Sequence, residues 1–377
     1  MPVTVARIKR KAAELGFNLC GLTPAKPSPT LAAYLRWLRR GMHGEMRYLA
    51  RTDRVRRRQD LREILPGAKT LIVVGLDYYA RYADEATLSD PARGRIAAYA
   101  WGLDYHNVLA LRLEAFAEWL TEASGVKPAQ KVYVDTGALL ERSHAQQAGL
   151  GFIGKNTMLI HPRRGGTFFI GEIITALEFD DYDAPQRETM CGSCTRCLVA
   201  CPTDAFPEPF VLDSRRCISY HTIENRGWID RELRADFGNW IFGCDICQDV
   251  CPFQRFAEET EEVAFLPFDL DRVAPQLTDI LMSNEPSFRA MFRRSPVERA
   301  GRELIVRNAC IAAGNWRGKV AIPHLIQLLY DDSALVRGHA AWALWRTMEL
   351  DSSKLLTDLY QREDDERVRA EVEALLG

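Results

Sequence analysis

Two short cysteine runs constrain this chain more than any other feature of its sequence. The first run, C-x2-C-x2-C-x3-C-P, occupies residues 191–202, and the second, C-x2-C-x3-C-P, occupies residues 244–252. This spacing places thiolates around a four-iron, four-sulfur cube, and in proteins with two cubes the cysteine before the proline ligates the other cube. The pattern therefore predicts two clusters and a protein that transfers single electrons.

The same rule divides the cysteines between the two clusters. The second run supplies only two ligands to its own cluster and receives a third from the first run, so one ligand is missing. Cys217 lies between the runs and is the candidate for that position. We therefore expect one cluster on Cys191, Cys194, Cys197 and Cys251, and the other on Cys201, Cys217, Cys244 and Cys247.

Two other interpretations of the cysteines are weaker. Zinc binds C-x2-C pairs, but zinc sites rarely use a doubled run of this kind. Disulfides are not expected, because no secretory leader is apparent and cytosolic thiols stay reduced. Cys20 and Cys310 stand in the apolar contexts "FNLCGL" and "VRNACIAAG" and are expected to be ordinary buried residues.

Composition places the chain among globular proteins. Its 377 residues are 47% hydrophobic, with a formal net charge of −2, and no apolar run approaches the ~20 residues that span a bilayer. We expect a cytoplasmic protein with no membrane contact. Residues 51–62 contain six arginines, and residues 285–346 are also rich in Lys and Arg. Two basic zones on a nearly neutral chain indicate an anionic partner.

Periodicity divides the chain into three segments. Residues 1–180 alternate amphipathic helices with apolar strands, which predicts an α/β domain with a sheet of at least four strands. The stretch "NTMLIHPRRGGTFFIGEIITALEF" within it predicts two strands joined by an Arg-Gly-Gly hairpin. Residues 181–265 hold the cysteine runs and form a ferredoxin-like domain. Residues 285–377 repeat helical phrases, "DDSALVRGHAAWAL" and "EDDERVRAEVEAL", which is typical of HEAT-like repeats.

The glycine-rich stretch 133–166 contains the best candidate for acid–base chemistry. Asp135 follows a short strand, so it is either a turn or N-cap residue or an acid at a strand end that lines a site. His144 on the following helix carries little weight by itself. The stretch has no G-x-x-x-x-G-K-[ST] pattern, which argues against a nucleoside triphosphate site, and the chain has no G-x-G-x-x-G, so a Rossmann-bound nicotinamide is not indicated.

Taken together, these segments resemble the epoxyqueuosine reductase family. The resemblance is carried by "LPGAKTLIVVGLDYY", "AAYAWGLDYH", "VDTGALLERSHAQQAGLGFIGKNTMLI", "CGSCTRCLVACPT", "RRCISYHTIENRG" and "GNWIFGCDICQDVCPF", followed by "LIVRNACIAAGN" and "LVRGHAAWAL". It implies an α+β multidomain protein in three parts. These are a nitroreductase-like α/β domain that binds cobalamin, a ferredoxin-like domain with two 4Fe–4S clusters, and a HEAT-like repeat that binds tRNA.

The resemblance also implies a reaction and its residues. The reaction reduces epoxyqueuosine to queuosine at the wobble position of tRNA, the final step of queuosine biosynthesis. By the match to "VDTGALLERS", Asp135 donates the proton, which requires a protonated carboxyl and is favoured by burial beside the cofactor. The segments expected to border cobalamin contain Arg58, Tyr99, Asp135, Asn156 and Thr157, and Ser219 is expected to border the cofactor or the substrate. Arg58 lies in an unusually arginine-rich segment, for which a solvated basic helix is the alternative.

For the basic C-terminal zone, phosphate contacts are expected from Arg294, Arg299, Arg302, Arg307 and Arg337. The expected partners are a tRNA carrying epoxyqueuosine in its anticodon stem-loop and an external electron donor such as a flavodoxin or ferredoxin, with the protein acting as a monomer. Two rival functions remain open from sequence. One is a corrinoid reductive dehalogenase, which has no reason to carry a basic helical repeat. The other is a non-enzymatic electron-transfer protein, which would bind no cobalamin.

Overall fold

The structure, a computed structural model, describes residues 3–186 and 189–377. Its strands are β1 (Leu19–Pro24), β2 (Thr70–Asp77), β3 (Arg95–Ile96), β4 (Gln130–Tyr133), β5 (Phe152–Ile153), β6 (Leu159–Ile160), β7 (Phe168–Thr175) and β8 (Trp240–Phe242). Its α-helices are α1 (Val5–Glu14), α2 (Leu31–Arg39), α3 (Arg47–Ala50), α4 (Thr52–Gln59), α5 (Glu85–Leu88), α6 (Tyr105–Ser124), α7 (Glu141–Gln147), α8 (Arg196–Val199), α9 (Ile218–Ile223), α10 (Arg231–Arg234), α11 (Ile246–Asp249), α12 (Leu277–Leu281), α13 (Glu285–Met291), α14 (Arg302–Trp316), α15 (Ile322–Leu328), α16 (Ala334–Met348), α17 (Ser353–Arg362) and α18 (Glu366–Leu376). Within the described ranges, none of these helices has the length and apolar character needed to cross a bilayer.

Backbone contacts group the chain into two compact units. The first unit contains residues 1–80, 104–214 and 246–266, and the second contains residues 81–103, 215–245 and 267–377. These units cut across the three segments expected from periodicity, because residues 81–103 join the second unit and the cysteine-bearing segment is shared between both. The functional boundaries predicted from the sequence stay predictions.

The first unit is built on a four-stranded sheet in the order β1-β2-β7-β4. All neighbouring strands in this sheet are antiparallel. Strand β2 has neighbours on both sides, and all eight of its residues are buried, which explains its apolar run from Leu71 to Leu76. The expected sheet of at least four strands is confirmed.

The long helix α6 covers one face of this sheet. Asp104 caps its first turn by accepting a hydrogen bond from the backbone N–H of His106, and Gly125 ends it in a left-handed conformation with φ 69°. The helix can approach β7 closely because Gly171 has no side chain. A Cβ atom at that position would lie 2.7 Å from a methyl group of Leu113.

The hairpin predicted within residues 156–179 is wrong. Strand β6 pairs with β5 in a separate two-stranded sheet, whereas β7 pairs with β2 and β4. Only a single bridge, between His161 and Gly165, closes the turn at the Arg-Gly-Gly sequence. Both stretches do form strands. Strand β7 lies in the central sheet because its side chains are buried on both faces, whereas β6 is too short to fill that position.

The second unit is mainly helical. Helix α14 packs against α12, α16 and the short strand β8, and its residues from Leu304 to Gly314 are buried without interruption. The last two phrases of the predicted repeat begin alike. Ser333 caps α16 and Asp365 caps α18, each through its side chain. The expected HEAT-like arrangement of paired helices is confirmed.

The repeated V-R phrase has an internal structural role. Arg337 donates to the backbone carbonyl of Asp331 at 2.8 Å, and Arg369 donates to that of Glu363 at 3.3 Å. Each arginine therefore ties the start of its helix to the residue six positions earlier. Arg337 also forms a two-pronged ion pair with the carboxylate of Glu363, at 2.6 and 2.7 Å. These contacts occupy its guanidinium and argue against the predicted phosphate contact.

The environment of Arg307 differs most clearly from the exposed phosphate contact that the sequence predicted. It is fully buried, and its guanidinium donates to the backbone carbonyls of His221, Asn225 and Gly227. Burial lowers the pKa of its guanidinium to about 9. The predicted tRNA contact of Arg307 is wrong, because a side chain with no exposed surface cannot reach a phosphate. Its sequence context, "LIVRNACIAAG", is apolar on both sides of the arginine.

Arg302 is engaged in a similar way. It forms an ion pair with Asp331 at 2.7 Å and donates to the backbone carbonyl of Ser283 at 2.6 Å. Five arginines were predicted from the sequence to contact tRNA. Of these five, Arg294 and Arg299 have exposed side chains.

Candidate functional site

Four of the cysteines surround one cavity in the first unit. Cys191, Cys194, Cys197 and Cys251 all line a cavity of about 160 Å³, together with Lys155, Asn156, Ile160, Met190, Pro252 and Phe253. These four are the set that the spacing rule assigned to the first cluster. Within the described ranges, no group of three or more His, Cys, Asp or Glu side chains is placed to hold a single metal ion. Four thiols around one cavity match the number of cysteine ligands that a four-iron cube requires.

The loop between β5 and β6 holds this cavity in shape. The backbone N–H of Lys155 donates to the sulfur of Cys191 at 3.4 Å, and the Lys155 ammonium donates to the carbonyls of Gly192 and Cys194. The buried side chain of Asn156 donates to the carbonyl of Cys247 at 3.1 Å. One loop therefore touches both cysteine runs. Hydrogen bonds to cluster sulfurs are among the contacts that set a cluster's potential.

Without metal, this thiol group is electrostatically unfavourable as thiolates. Burial raises the pKa of Cys197, and the neighbouring Cys191 and Cys251 raise it further. Burial also raises the pKa of Cys251. A bound cluster removes this penalty, because its irons supply the positive charge that deprotonated sulfur requires.

The second predicted ligand set draws from both units. Cys201 and Cys247 belong to the first unit, and Cys217 and Cys244 belong to the second. The sulfur of Cys201 accepts a hydrogen bond from the backbone N–H of Ala205 at 3.4 Å. This second set stays a prediction from the sequence.

Cys20 and Cys310 lie apart from the runs, as expected. Cys20 is half-buried in β1, where burial raises the pKa of its thiol to about 12. Cys310 is buried within α14.

Asp135 lies in a turn that follows strand β4. Its backbone is left-handed, with φ 54°, which is uncommon for a residue other than glycine. Arg54 holds the turn by donating to the carbonyl of Thr136 at 3.2 Å. A residue held in such a conformation is a reasonable candidate for function.

The Asp135 carboxylate is exposed to solvent beside helix α6. Its side chain is 61% exposed, so the described residues do not supply the burial on which the sequence argument relied. The Tyr105 hydroxyl donates to Oδ2 of Asp135 at 2.6 Å, and Nε2 of His106 lies 4.0 Å from the same oxygen. On the other side of the imidazole, Nδ1 of His106 lies 2.7 Å from Oδ1 of the buried Asp104.

Two more carboxyl groups lie near Asp135. Glu172 points inward from the middle of β7 and is fully buried, and neither of its carboxyl oxygens has a hydrogen-bond partner among the described residues. Burial raises the pKa of Glu172 to about 8, with a smaller contribution from Asp135. Burial also raises the pKa of Glu141 well above its usual range, and Glu172 and Asp135 add to that effect. Glu172 therefore holds its proton to a higher pH than an exposed glutamate does.

The residues expected to border cobalamin fall into both units. In the first, Arg58 is buried with its guanidinium over the ring of Tyr34, 5.3 Å from the ring centre. Thr157 is half-buried, has φ 65°, and its carbonyl accepts from Arg142 at 2.7 Å. Arg58 is thus not part of a solvated helix face, although Arg56 and Arg57 beside it are exposed.

Tyr99 and Ser219 belong to the second unit. The ring of Tyr99 packs against Phe242, with ring centres 6.0 Å apart. Ser219 is half-buried in helix α9, where its carbonyl accepts from the Thr222 hydroxyl at 3.3 Å. Their role toward a cofactor stays a prediction.

Sequence reasoning missed the side chains that surround Asp135. Tyr105, His106 and Asp104 stand in the "GLDYH" stretch, and a cap aspartate two residues before a histidine was a visible signal. Glu172 was also visible, as a charged residue inside the otherwise apolar strand "FFIGEIIT". Lys155 carried no signal, because only the folded loop shows which carbonyls it meets.

Comparisons with known proteins identify the proteins to which this chain is similar. Family models match three parts of the chain: epoxyqueuosine reductase QueG, DUF1730, at residues 58–136, a 4Fe-4S double cluster binding domain at 190–254, and HEAT repeats at 299–377. An epoxyqueuosine reductase of Xanthomonas campestris pv. campestris is 40% identical over 343 residues, which cover 90% of this chain and 95% of that protein.

Two solved structures are similar over nearly their whole length. A crystal structure of epoxyqueuosine reductase with an epoxyqueuosine-modified tRNA-Tyr stem loop has a TM-score of 0.90 at 31% identity, covering 98% of this chain and 97% of that chain. The enzyme from Bacillus subtilis, with an aspartate catalytic loop swung out of the active site, has a TM-score of 0.89 at 30% identity and the same coverage.

A thiol-lined cavity, an exposed acid on a constrained turn and a helical repeat together define an iron–sulfur oxidoreductase. The comparisons narrow that class further. The chain belongs to the epoxyqueuosine reductase family.

The buried carboxyl of Glu172 predicts a pH-dependent stability. The unfolded carboxyl ionises near pH ~4.3, whereas the folded one holds its proton up to its pKa of about 8. Between these values the folded state binds more protons, so stability falls as the pH rises. Glu172→Gln removes this loss. We expect its melting temperature to exceed that of the wild type by a margin that widens from pH 5 to pH 8.

The measurement is anaerobic thermal unfolding across that pH range. Glu178→Gln is the matched control, because the Glu178 side chain is 67% exposed, and its melting temperatures should follow those of the wild type. A Glu172→Gln margin that stays constant with pH would show that Glu172 is ionised in the folded protein.

Proposed function

We propose that this chain reduces epoxyqueuosine to queuosine at the wobble position of tRNA. The observation that carries the proposal is its similarity, over 98% of its length, to an epoxyqueuosine reductase bound to an epoxyqueuosine-modified tRNA stem loop. The thiol-lined cavity and the exposed acid of the first unit are the chemical features that such a reduction needs. No feature of the described residues favours a dehalogenase or a non-enzymatic carrier.

The stoichiometry of the reaction sets what the protein must supply. Converting an epoxide to an alkene consumes two electrons and two protons, breaks both carbon–oxygen bonds and releases the oxygen as water. Iron–sulfur clusters pass electrons one at a time. The protein must therefore stage two electrons and place a proton donor at the departing oxygen.

For electron transfer we propose two 4Fe–4S clusters. Support for the first comes from the cavity lined by Cys191, Cys194, Cys197 and Cys251. Support for the second comes from the spacing rule and from the match to a double cluster binding domain. Its proposed ligands are Cys201, Cys217, Cys244 and Cys247.

We also propose that the chain holds cobalamin, which when bound supplies a strongly reducing cobalt centre. The chemistry of the exposed groups fits such a ligand, because the Asp135 carboxyl and the Thr157 hydroxyl can hydrogen-bond to amide groups of a corrin. Arg58 and Asn156 are buried and already bonded, so their role is to support the surrounding segments. Tyr99 and Ser219 remain proposed contacts on the basis of the family resemblance.

Asp135 is the proposed proton donor. Its carboxyl is exposed on a constrained turn, where a substrate can reach it. A substrate that receives its proton must cover it, and this covering supplies the low-polarity surroundings that keep a carboxyl protonated. The relative from Bacillus subtilis, with its aspartate catalytic loop, supports an acid role for this turn.

The proposed tRNA contacts now centre on Arg294 and Arg299, the exposed members of the predicted set. We propose that the protein acts as a monomer in the cytoplasm and that it takes electrons from an external donor such as a flavodoxin or ferredoxin. No membrane contact is expected.

The iron content of the protein tests the second cluster. Anaerobically reconstituted wild-type protein should contain about eight irons, from two four-iron clusters. Cys217→Ala should lower this count to about four and change the EPR spectrum of the reduced protein. Cys310→Ala is the control within the same unit and should keep all the iron. An unchanged iron count in Cys217→Ala would remove Cys217 from the ligand set.

The second prediction tests the reaction and its acid. Wild-type protein with cobalamin and a chemical reductant should convert an epoxyqueuosine-containing anticodon stem-loop under anaerobic conditions. Asp135→Asn keeps the shape of the side chain but has no proton to donate, so turnover should fall by about 10²-fold or more. Cobalamin occupancy and stem-loop affinity should be preserved. Turnover near that of the wild type would exclude the acid role, whereas lost cobalamin would make Asp135 a cofactor-holding residue.

The third prediction tests the tRNA surface. Deleting residues 285–377 is unsuitable, because α14 forms part of the core of the second unit. Substitutions of exposed arginines test the tRNA contact without disturbing this core. The Arg294→Glu/Arg299→Glu double variant should bind the stem-loop more weakly, and the slope of log K against log salt should become shallower by about 1.4 to 1.8 if each arginine neutralises one phosphate.

Its control is the Lys354→Glu/Arg367→Glu double variant. Both control residues are exposed and lie outside the basic zone, and the change in net charge is the same. Equal effects of the two double variants would mean that only overall charge matters and that Arg294 and Arg299 make no local contact.

A further inference from the structure

The reaction consumes two protons per turnover, yet one carboxyl group carries only one. If Asp135 is the acid, as the proposed function requires, it must regain a proton before the oxygen can leave as water. The exposed face of the carboxyl is the face that contacts the substrate, so bulk water loses direct access to it during the reaction. The second proton must come from the protein side of the site.

Four titratable side chains approach Asp135 from the protein side: Glu172, Glu141, Tyr105 and His106. Glu172 has no hydrogen-bond partner among the described residues, so no hydrogen-bonded route leads from it. Glu141 and the Asp135 carboxyl interact through charge repulsion, which transfers no proton. The Tyr105 hydroxyl binds Oδ2 of Asp135 but would become a phenolate if it gave up its single proton. The remaining group is His106, whose Nε2 lies 4.0 Å from Oδ2 of Asp135.

His106 is held in an orientation suited to proton transfer. Its Nδ1 lies 2.7 Å from Oδ1 of Asp104, which is 5% exposed and cannot easily turn away. A carboxylate at this position accepts the Nδ1 proton, which leaves Nε2 as the nitrogen that gains and loses a proton toward Asp135. The ring of Tyr105 stacks on the imidazole, with ring centres 4.1 Å apart, and limits its movement.

We propose that Asp104 and His106 form a proton relay that reprotonates Asp135 within each turnover. Asp135 gives its first proton to the epoxide oxygen and becomes a carboxylate. The imidazolium of His106 then transfers its Nε2 proton to this carboxylate and becomes neutral, with Nδ1–H retained by Asp104. Asp135 delivers this second proton to the same oxygen, which leaves as water. The two electrons come from the external donor.

The 4.0 Å separation between Nε2 and Oδ2 requires the carboxylate to move by about 1 Å to reach hydrogen-bonding distance. The Tyr105 hydroxyl binds the same oxygen at 2.6 Å and provides the resting position between transfers. His106 acts through Asp135 and is a positioning and proton-supplying residue rather than a catalytic residue that touches substrate.

The test compares steady-state kinetics of the reconstituted enzyme on the epoxyqueuosine stem-loop. His106→Ala should lower kcat by about 10²-fold, the scale of a lost acid–base group, and leave KM unchanged. Added imidazole should restore kcat severalfold, because it can occupy the vacated space and carry the proton. Asp104→Asn keeps a good N-cap for α6 but removes the anionic partner of Nδ1, so its kcat should fall without loss of thermal stability.

His43→Ala, which removes another imidazole of the same unit, is the control and should neither slow turnover nor respond to imidazole. A loss of kcat in His106→Ala that imidazole does not relieve would overturn the relay and leave His106 a purely structural role. Wild-type kcat in His106→Ala would overturn it as well. Failure of the wild-type enzyme to convert the stem-loop would instead contradict the proposed function, so the two failures are distinguishable.

Discussion

The constraint on which the first unit depends is that four thiols, three close in sequence and one remote, must face a single cavity. Cys251 meets the 191–197 segment because the loop carrying Lys155 and Asn156 binds both cysteine runs. That loop also joins β5 to β6, so the small second sheet of the unit serves the metal site. The raised pKa values of Cys197 and Cys251 favour protonated thiols when no metal is bound, so cluster binding must release these protons.

The same loop connects the cluster cavity to the acid. Thr157, two residues after Lys155, accepts from Arg142 at the start of α7, and burial, with a contribution from the negative charge of Asp135, raises the pKa of the neighbouring Glu141. The loop that binds Cys191 therefore also contacts the helix whose first residue lies close to the proposed proton donor.

The arginines of the helical region differ in their surroundings. Arg307, Arg302 and Arg337 hold the second unit together through buried or partly buried bonds to carbonyls and carboxylates. Arg294 and Arg299 are exposed and are the residues proposed to contact tRNA. A buried arginine with satisfied donors contributes to folding, whereas phosphate affinity needs exposed charge that releases counterions. Amino-acid composition does not distinguish buried arginines from exposed ones.

The sequence by itself determined what depends on local spacing. The cysteine runs predicted a set of four ligands that the fold does bring around one cavity, and helical periodicity located α1, α6 and the C-terminal repeat. Local spacing cannot show which distant segments meet, however. From local spacing alone, β6 was predicted to pair with β7, although β7 belongs to the central sheet. Arg307 was likewise predicted to contact tRNA, although it is buried. Only the tertiary structure placed His106 between Asp104 and Asp135, because that contact joins a helix start to a turn about thirty residues further along the chain.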